Sequence, residues 1–160
     1  SDPVFGSVYK LAAIEDENGN IIPKIKVSEN VEKITVPHFK KVYRLFDNTT
    51  HKAIADVLTV HDEVIDDSRE YELIDPSFTW KRKKVNNFTA QELLQPIFKD
   101  GELVYQLPTI DEIRANCAAQ VDTLWDEVKR FENPQTYYVD LSEKLLGIRD
   151  KLLDDSKHLS

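Results

Sequence analysis

The chain has no methionine, one cysteine, only four glycines and two tryptophans, and no long uninterrupted apolar run. Each shortage excludes something. A single cysteine, Cys117, rules out an internal disulfide and most zinc sites. No apolar stretch approaches the ~20 residues that span a bilayer. No charged start runs into an apolar export segment. Four glycines leave no glycine-rich phosphate loop, and no Gly-x-Ser-x-Gly elbow or Ser/His/Asp set is evident. These absences point to the cytoplasm, and away from a self-contained active site. A chain without methionine that opens Ser1-Asp2-Pro3 is expected to be a piece of a larger fold.

What is present is a globular composition with an uneven charge. At 160 residues and 41% apolar content the chain can bury a real core. The net charge of −8 argues against general nucleic-acid binding. Against that acidic background, residues 24–44 hold six Lys/Arg and two Glu, a local balance of +4. A basic island in an acidic protein suits an anion.

Pattern predicts the elements. Val8–Ile14 and Ile21–Val27 flank Asn18-Gly19, a strong turn signal, and predict a hairpin over residues 8–27 with a lysine face. Lys40–Asp47 and Ala53–Val60 predict a second hairpin around Asn48–His51. Short strands are expected at Tyr71–Ile74, Phe78–Val85 and Leu103–Leu107. Thr109 with Glu112 makes a capping box. From Ile110 an apolar stripe runs through Ile113, Cys117, Val121, Leu124 and Val128 to Phe131, predicting one helix over about 109–132. Asp140 or Ser142 can cap a second amphipathic helix over 141–156. Strands and hairpins first, helices last, give an α+β fold with a mostly antiparallel sheet. Two segments are expected: a basic strand-rich part, 1–50, and a C-terminal α+β domain, 51–160.

Chemistry is sparse. Lys10, Lys24, Lys26, Lys33, Lys40, Lys41 and Arg44 suit either a phosphate-facing edge or the wet face of a strand. The run Lys81–Lys84 after Trp80 suits nucleic acid weakly and a solvated strand or loop end better. His61-Asp62-Glu63 has metal-ligand residue types, but lacks a second pair at helical spacing and reads as a surface loop. Cys117, on the apolar stripe, reads as a buried small hydrophobe.

One ordered set of segments goes further. It comprises Pro3–Leu11, Pro23–Asn30, Glu32–Thr35, Lys40–Arg44, Lys52–Asp56, His61–Glu63, Leu93–Gly101, Pro108–Arg114, Arg130–Pro134 and Val139–Leu145. In that order these resemble the C-terminal part of bacterial nicotinate phosphoribosyltransferases across essentially the whole chain. Two departures stand out. The family tends to Gly-Gly before Val-Tyr-Lys-Leu, where this chain has Gly6-Ser7, and to Pro-Gly before Phe-Lys-Lys, where it has Pro37-His38. Loss of a turn glycine changes the allowed backbone, which leaves the loop near Pro37 open.

The resemblance implies a full-length enzyme that joins nicotinate to phosphoribosyl pyrophosphate with ATP hydrolysis and magnesium, a step of NAD salvage. It implies an α/β barrel and an N-terminal domain as partners of this chain, and a homodimer, with no nucleic acid or membrane involved. The phosphorylated histidine of that family lies on the barrel, and none of the four histidines here matches it. Lys24, Lys26, Lys33 and Arg44 are the candidates to meet phosphate; no catalytic or metal residue is expected, and the chain alone should be inactive. A stand-alone, non-catalytic interaction module is the other reading, since residues 51–160 show no chemistry of their own.

Overall fold

The structure, a computed structural model, describes residues 6–28 and 34–157. The chain divides into two compact units, residues 1–40 with 143–160 and residues 41–142. No helix among the described residues is long and apolar enough to cross a membrane.

In the first unit, β1 (Ala13–Glu15) pairs antiparallel with β2 (Ile21–Pro23), Ala13 opposite Pro23 and Glu15 opposite Ile21. Asp16 ties the turn by accepting from the Asn18 and Asn20 amides at 2.9 and 2.8 Å, and Gly19 takes a φ of 80° there. The hairpin is therefore real but shorter than residues 8–27. The Lys24 amide adds one more bond across the hairpin, donating to the Ala12 carbonyl at 2.8 Å. Val8 and Tyr9 stay exposed.

The loop before β3 (Lys40–Asp47) holds the family departure. His38 has a φ of 81°, the left-handed region that favours glycine, with its side chain in place. Two contacts steady it. The Phe39 amide donates to His38 Nδ1 at 2.9 Å, and Lys40 Nζ donates to the Val36, Pro37 and His38 carbonyls at 2.9, 3.3 and 2.7 Å. Burial lowers the Lys40 pKa.

The second unit is built on a six-stranded mixed sheet. Its other strands are β4 (Ala53–Val60), β5 (Tyr71–Ile74), β6 (Arg82–Val85), β7 (Phe88–Glu92) and, from much later in the chain, β10 (Val139–Leu141). The spatial order is β6-β5-β10-β4-β3-β7. The β10–β4 pair is parallel, while β10–β5, β5–β6 and β3–β7 are antiparallel. Along β4, buried Ala53, Ala55 and Val57 alternate with half-buried neighbours, as a strand's two-residue period requires. Ala55 and Val57 meet Tyr43, Leu45, Leu73 and Phe88 in one core.

Three expectations need correction here. The strand over 78–85 starts only at Arg82, because Asp75 accepts from the Ser77 and Phe78 amides and folds that segment into a turn. Leu103–Leu107 shrinks to a small ribbon, β8 (Phe98–Lys99) with β9 (Glu102–Leu103), turned at Asp100-Gly101. The single helix over 109–132 is two: α1 (Ile110–Asp122) and α2 (Asp126–Lys129). The capping box at Thr109 forms as read. The break follows from Thr123, whose hydroxyl donates to Gln120 O at 2.6 Å, and from Trp125, whose indole donates to Ala53 O at 3.1 Å.

No residue of α1 is buried, so its apolar stripe lies open and Cys117 is exposed, not a core residue. The last helix, α3 (Glu143–Lys157), starts after residue 141 because Val139–Leu141 belong to the sheet; it buries Leu145 and Leu146. The α+β class, mostly antiparallel, describes the molecule.

Candidate functional site

Of the four residues read as phosphate contacts, Lys24 and Lys26 are exposed just past β2, in the first unit. Lys33 lies outside the described residues. Arg44, in the second unit, is committed to a carboxylate. Its Nε and Nη2 grip Asp56 Oδ1 and Oδ2 at 2.8 and 2.9 Å, and its Nη1 donates to Gln120 Oε1 at 3.1 Å. Tyr137 completes the group: its hydroxyl donates to Asp56 Oδ1 at 3.0 Å, and its ring sits 5.9 Å from the guanidinium carbon.

Alternation along β3 and β4 puts Arg44 and Asp56 on neighbouring strands, and the break after α1 brings in Gln120. Asp56 keeps the Arg44 pKa raised. Burial first, then the Asp56 charge, raises the Tyr137 pKa. A bidentate guanidinium–carboxylate pair that is mostly shielded from water fixes geometry strongly. It ties β3, β4, α1 and the segment before β10 together.

The loop His61-Asp62-Glu63 is also structural at its last residue. Glu63 accepts from the Val60 amide at 2.6 Å and from the Ser142 hydroxyl at 2.8 Å. Among the described residues no group of three or more His, Cys, Asp or Glu side chains converges to hold a metal ion.

The basic run after Trp80 is sorted by the strand period. Arg82 pairs with Glu72, and Lys84 with Glu70 at 2.8 Å. Lys81 and Lys83 instead sit over aromatic rings, Phe78 at 4.2 Å and Tyr138 at 5.8 Å. These two border a cleft of about 340 Å³ that Trp80, Tyr138, Asp75 and Asp140 also line. A second cavity of about 510 Å³ shares Lys83 and Tyr138 with it.

Asp140 is 5% exposed, and no hydrogen bond or ion pair engages its carboxyl among the described residues. Burial, then the Asp75 charge, pushes its pKa up to about 6, with Lys83 pulling the other way. Of the two helix caps the sequence offers, Asp140 lies in β10 and Ser142 directly precedes α3; the cleft is not visible in the sequence. The available signal was an acid between two apolar residues, Val139 and Leu141, which marks a strand rather than a cap.

The sheet and its helices have a counterpart among solved structures. The crystal structure of human nicotinic acid phosphoribosyltransferase superposes with a TM-score of 0.68 at 25% identity, over 74% of this chain and 24% of that one. The family model for the nicotinate phosphoribosyltransferase C-terminal domain matches residues 39–149, and the chain belongs to that family. Among its relatives, a nicotinate phosphoribosyltransferase of Bacillus subtilis is 41% identical over 141 residues, covering 88% of this chain and 29% of the relative. One from Caenorhabditis elegans is 37% identical over 145 residues, 89% of this chain and 25% of the relative. The chain thus spans between a quarter and three-tenths of the length of these relatives.

Proposed function

We propose that this chain is the C-terminal part of an enzyme that makes nicotinate mononucleotide and pyrophosphate from nicotinate and phosphoribosyl pyrophosphate, coupled to ATP hydrolysis and placed in the cytoplasm. The observation that carries this reading is the family match over residues 39–149. Magnesium and ATP belong to the remainder of that enzyme. When bound, they supply charge neutralisation and phosphoryl chemistry there.

The work of this chain is electrostatic and structural. Transfer at a ribose carbon leaves pyrophosphate behind, and ammonium groups near that developing charge favour it. Lys24, Lys26 and Lys33 are assigned to that task. Arg44 was the fourth candidate. Its hold on Asp56 makes it a positioning residue in this reading, keeping β3 and β4 in register.

The remaining three-quarters of the enzyme also accounts for the open apolar face. Ile110, Ile113 and Val121 on α1 are 69%, 52% and 45% exposed, and Phe131 beyond α2 is fully exposed. A face of this kind is expected to be covered by another surface, and the barrel domain or a second subunit of a homodimer is assigned to it. The full-length enzyme carrying this chain should form nicotinate mononucleotide from the two substrates and ATP, as followed by chromatography of the product. This chain alone should form none. Absence of product with the full-length enzyme, or turnover by the chain alone, overturns the reading.

A further inference from the structure

The cleft between β5, β6 and β10 has three features that the transferase reading leaves unused. Trp80 is 75% exposed on its wall, held edge-to-face against Phe78 with ring centroids 5.2 Å apart, so a broad indole surface is steadied and left open. Lys81 and Lys83 are parked over ring faces, whereas their neighbours Arg82 and Lys84 are spent on glutamates. Asp140, a residue 5% exposed, lines the cleft, and no hydrogen bond or ion pair among the described residues engages its carboxyl. An acid that opens onto a cleft with no protein donor is free to accept from a ligand.

We propose that this cleft is a binding site for a nucleoside monophosphate, with the base stacked on Trp80, a ribose hydroxyl or exocyclic amine donating to Asp140, and the phosphate on Lys81 and Lys83. Each part matches a separate chemical need. Stacking on an exposed aromatic is the common way to hold a base. An ionised carboxylate accepts strongly from hydroxyl or amino donors. Because the Asp140 pKa stands at about 6, the group is mainly ionised at pH 7. Lys81 and Lys83, which form no ion pair among the described residues, supply the anion contact. The volume of about 340 Å³ lies at the small end of ligand cavities. A polynucleotide fits less well, since the chain carries −8 overall and an extended strand has no use for an acid at the cleft floor. The proposal rests on the second unit alone and is independent of the transferase reading.

The test is calorimetric titration of AMP into the 160-residue chain, beside adenosine, inorganic phosphate and a ten-nucleotide RNA. Saturable binding of AMP, weaker for adenosine and for phosphate, supports the site. Lys83→Ala and Asp140→Asn should each weaken AMP by about tenfold, the loss expected for one charge-assisted hydrogen bond. Should Asp140→Asn fail to fold, Lys81→Ala and Trp80→Ala, both at exposed positions, carry the same test. No saturable AMP binding, unchanged affinity in the lysine and tryptophan variants, or binding of RNA without AMP would each overturn the proposal.

Discussion

At the scale of single residues, two side chains sit where the fold would prefer something else. His38 occupies a left-handed backbone conformation that a glycine adopts without cost. Removing the side chain relieves that strain but also loses the Nδ1 contact to the Phe39 amide and frees more unfolded-state conformations. The strain outweighs the exposed contact. His38→Gly should raise stability by roughly 0.5–1 kcal/mol, measured by urea denaturation; a loss of stability contradicts this.

Asp140 is the second case. Its folded pKa of about 6 lies above the ordinary carboxylate value, so the folded state binds the proton more tightly than the unfolded chain. The resulting stability is fully present below the unfolded pKa and is lost as pH rises through 6. Asp140→Asn should therefore stabilise the protein above pH 7, by on the order of 1 kcal/mol once the water admitted by the cleft is allowed for. The gain should vanish near pH 4. A variant whose advantage is the same at both pH values would rule out titration of this group as the cause.

Elements are held by a few decisive pairs. Arg44, Asp56, Tyr137 and Gln120 join two central strands to α1 and to the lead-in of β10. Arg44→Ala leaves a largely shielded carboxylate with only the Tyr137 hydroxyl, and should cost about 3 kcal/mol. Arg44→Lys cannot make the bidentate grip and should recover little of it. Chemical denaturation of the two variants decides this; near-native stability for either contradicts the positioning role.

Helix α1 behaves oppositely. None of its residues is buried among the described residues, so Ile113→Asp should leave the stability of the chain within ~0.5 kcal/mol. The same change should markedly lower the thermal midpoint of the full-length enzyme. Equal midpoints for variant and wild-type full-length enzyme would show that nothing covers this face.

Over the whole molecule, what was legible in the sequence was the part fixed by local chemistry. The Thr109–Glu112 capping box, the Asn18-Gly19 turn and the strand over Ala53–Val60 all appear as read. What was not legible depended on distant partners. The stripe from Ile110 to Phe131 reads as one helix until Trp125 bonds back to Ala53 across 72 residues. Asp140 and Ser142 read equally as caps until the strand Val139–Leu141 slots between β4 and β5. Cys117 looks buried only if its helix face is covered within the chain.

The candidate site divides in the same way. Residue type alone marks Lys24, Lys26 and Arg44 as cations, but only the fold shows Arg44 gripping Asp56 while the two lysines stay open to solvent. The central claim is that those open ammonium groups serve the pyrophosphate end of the donor substrate. Steady-state kinetics of the full-length enzyme bearing Lys24→Ala and Lys26→Ala together test it most directly. The account predicts a rise of about tenfold or more in KM for phosphoribosyl pyrophosphate, with KM for nicotinate little changed. Unaltered kinetics toward phosphoribosyl pyrophosphate in a folded double variant would contradict it.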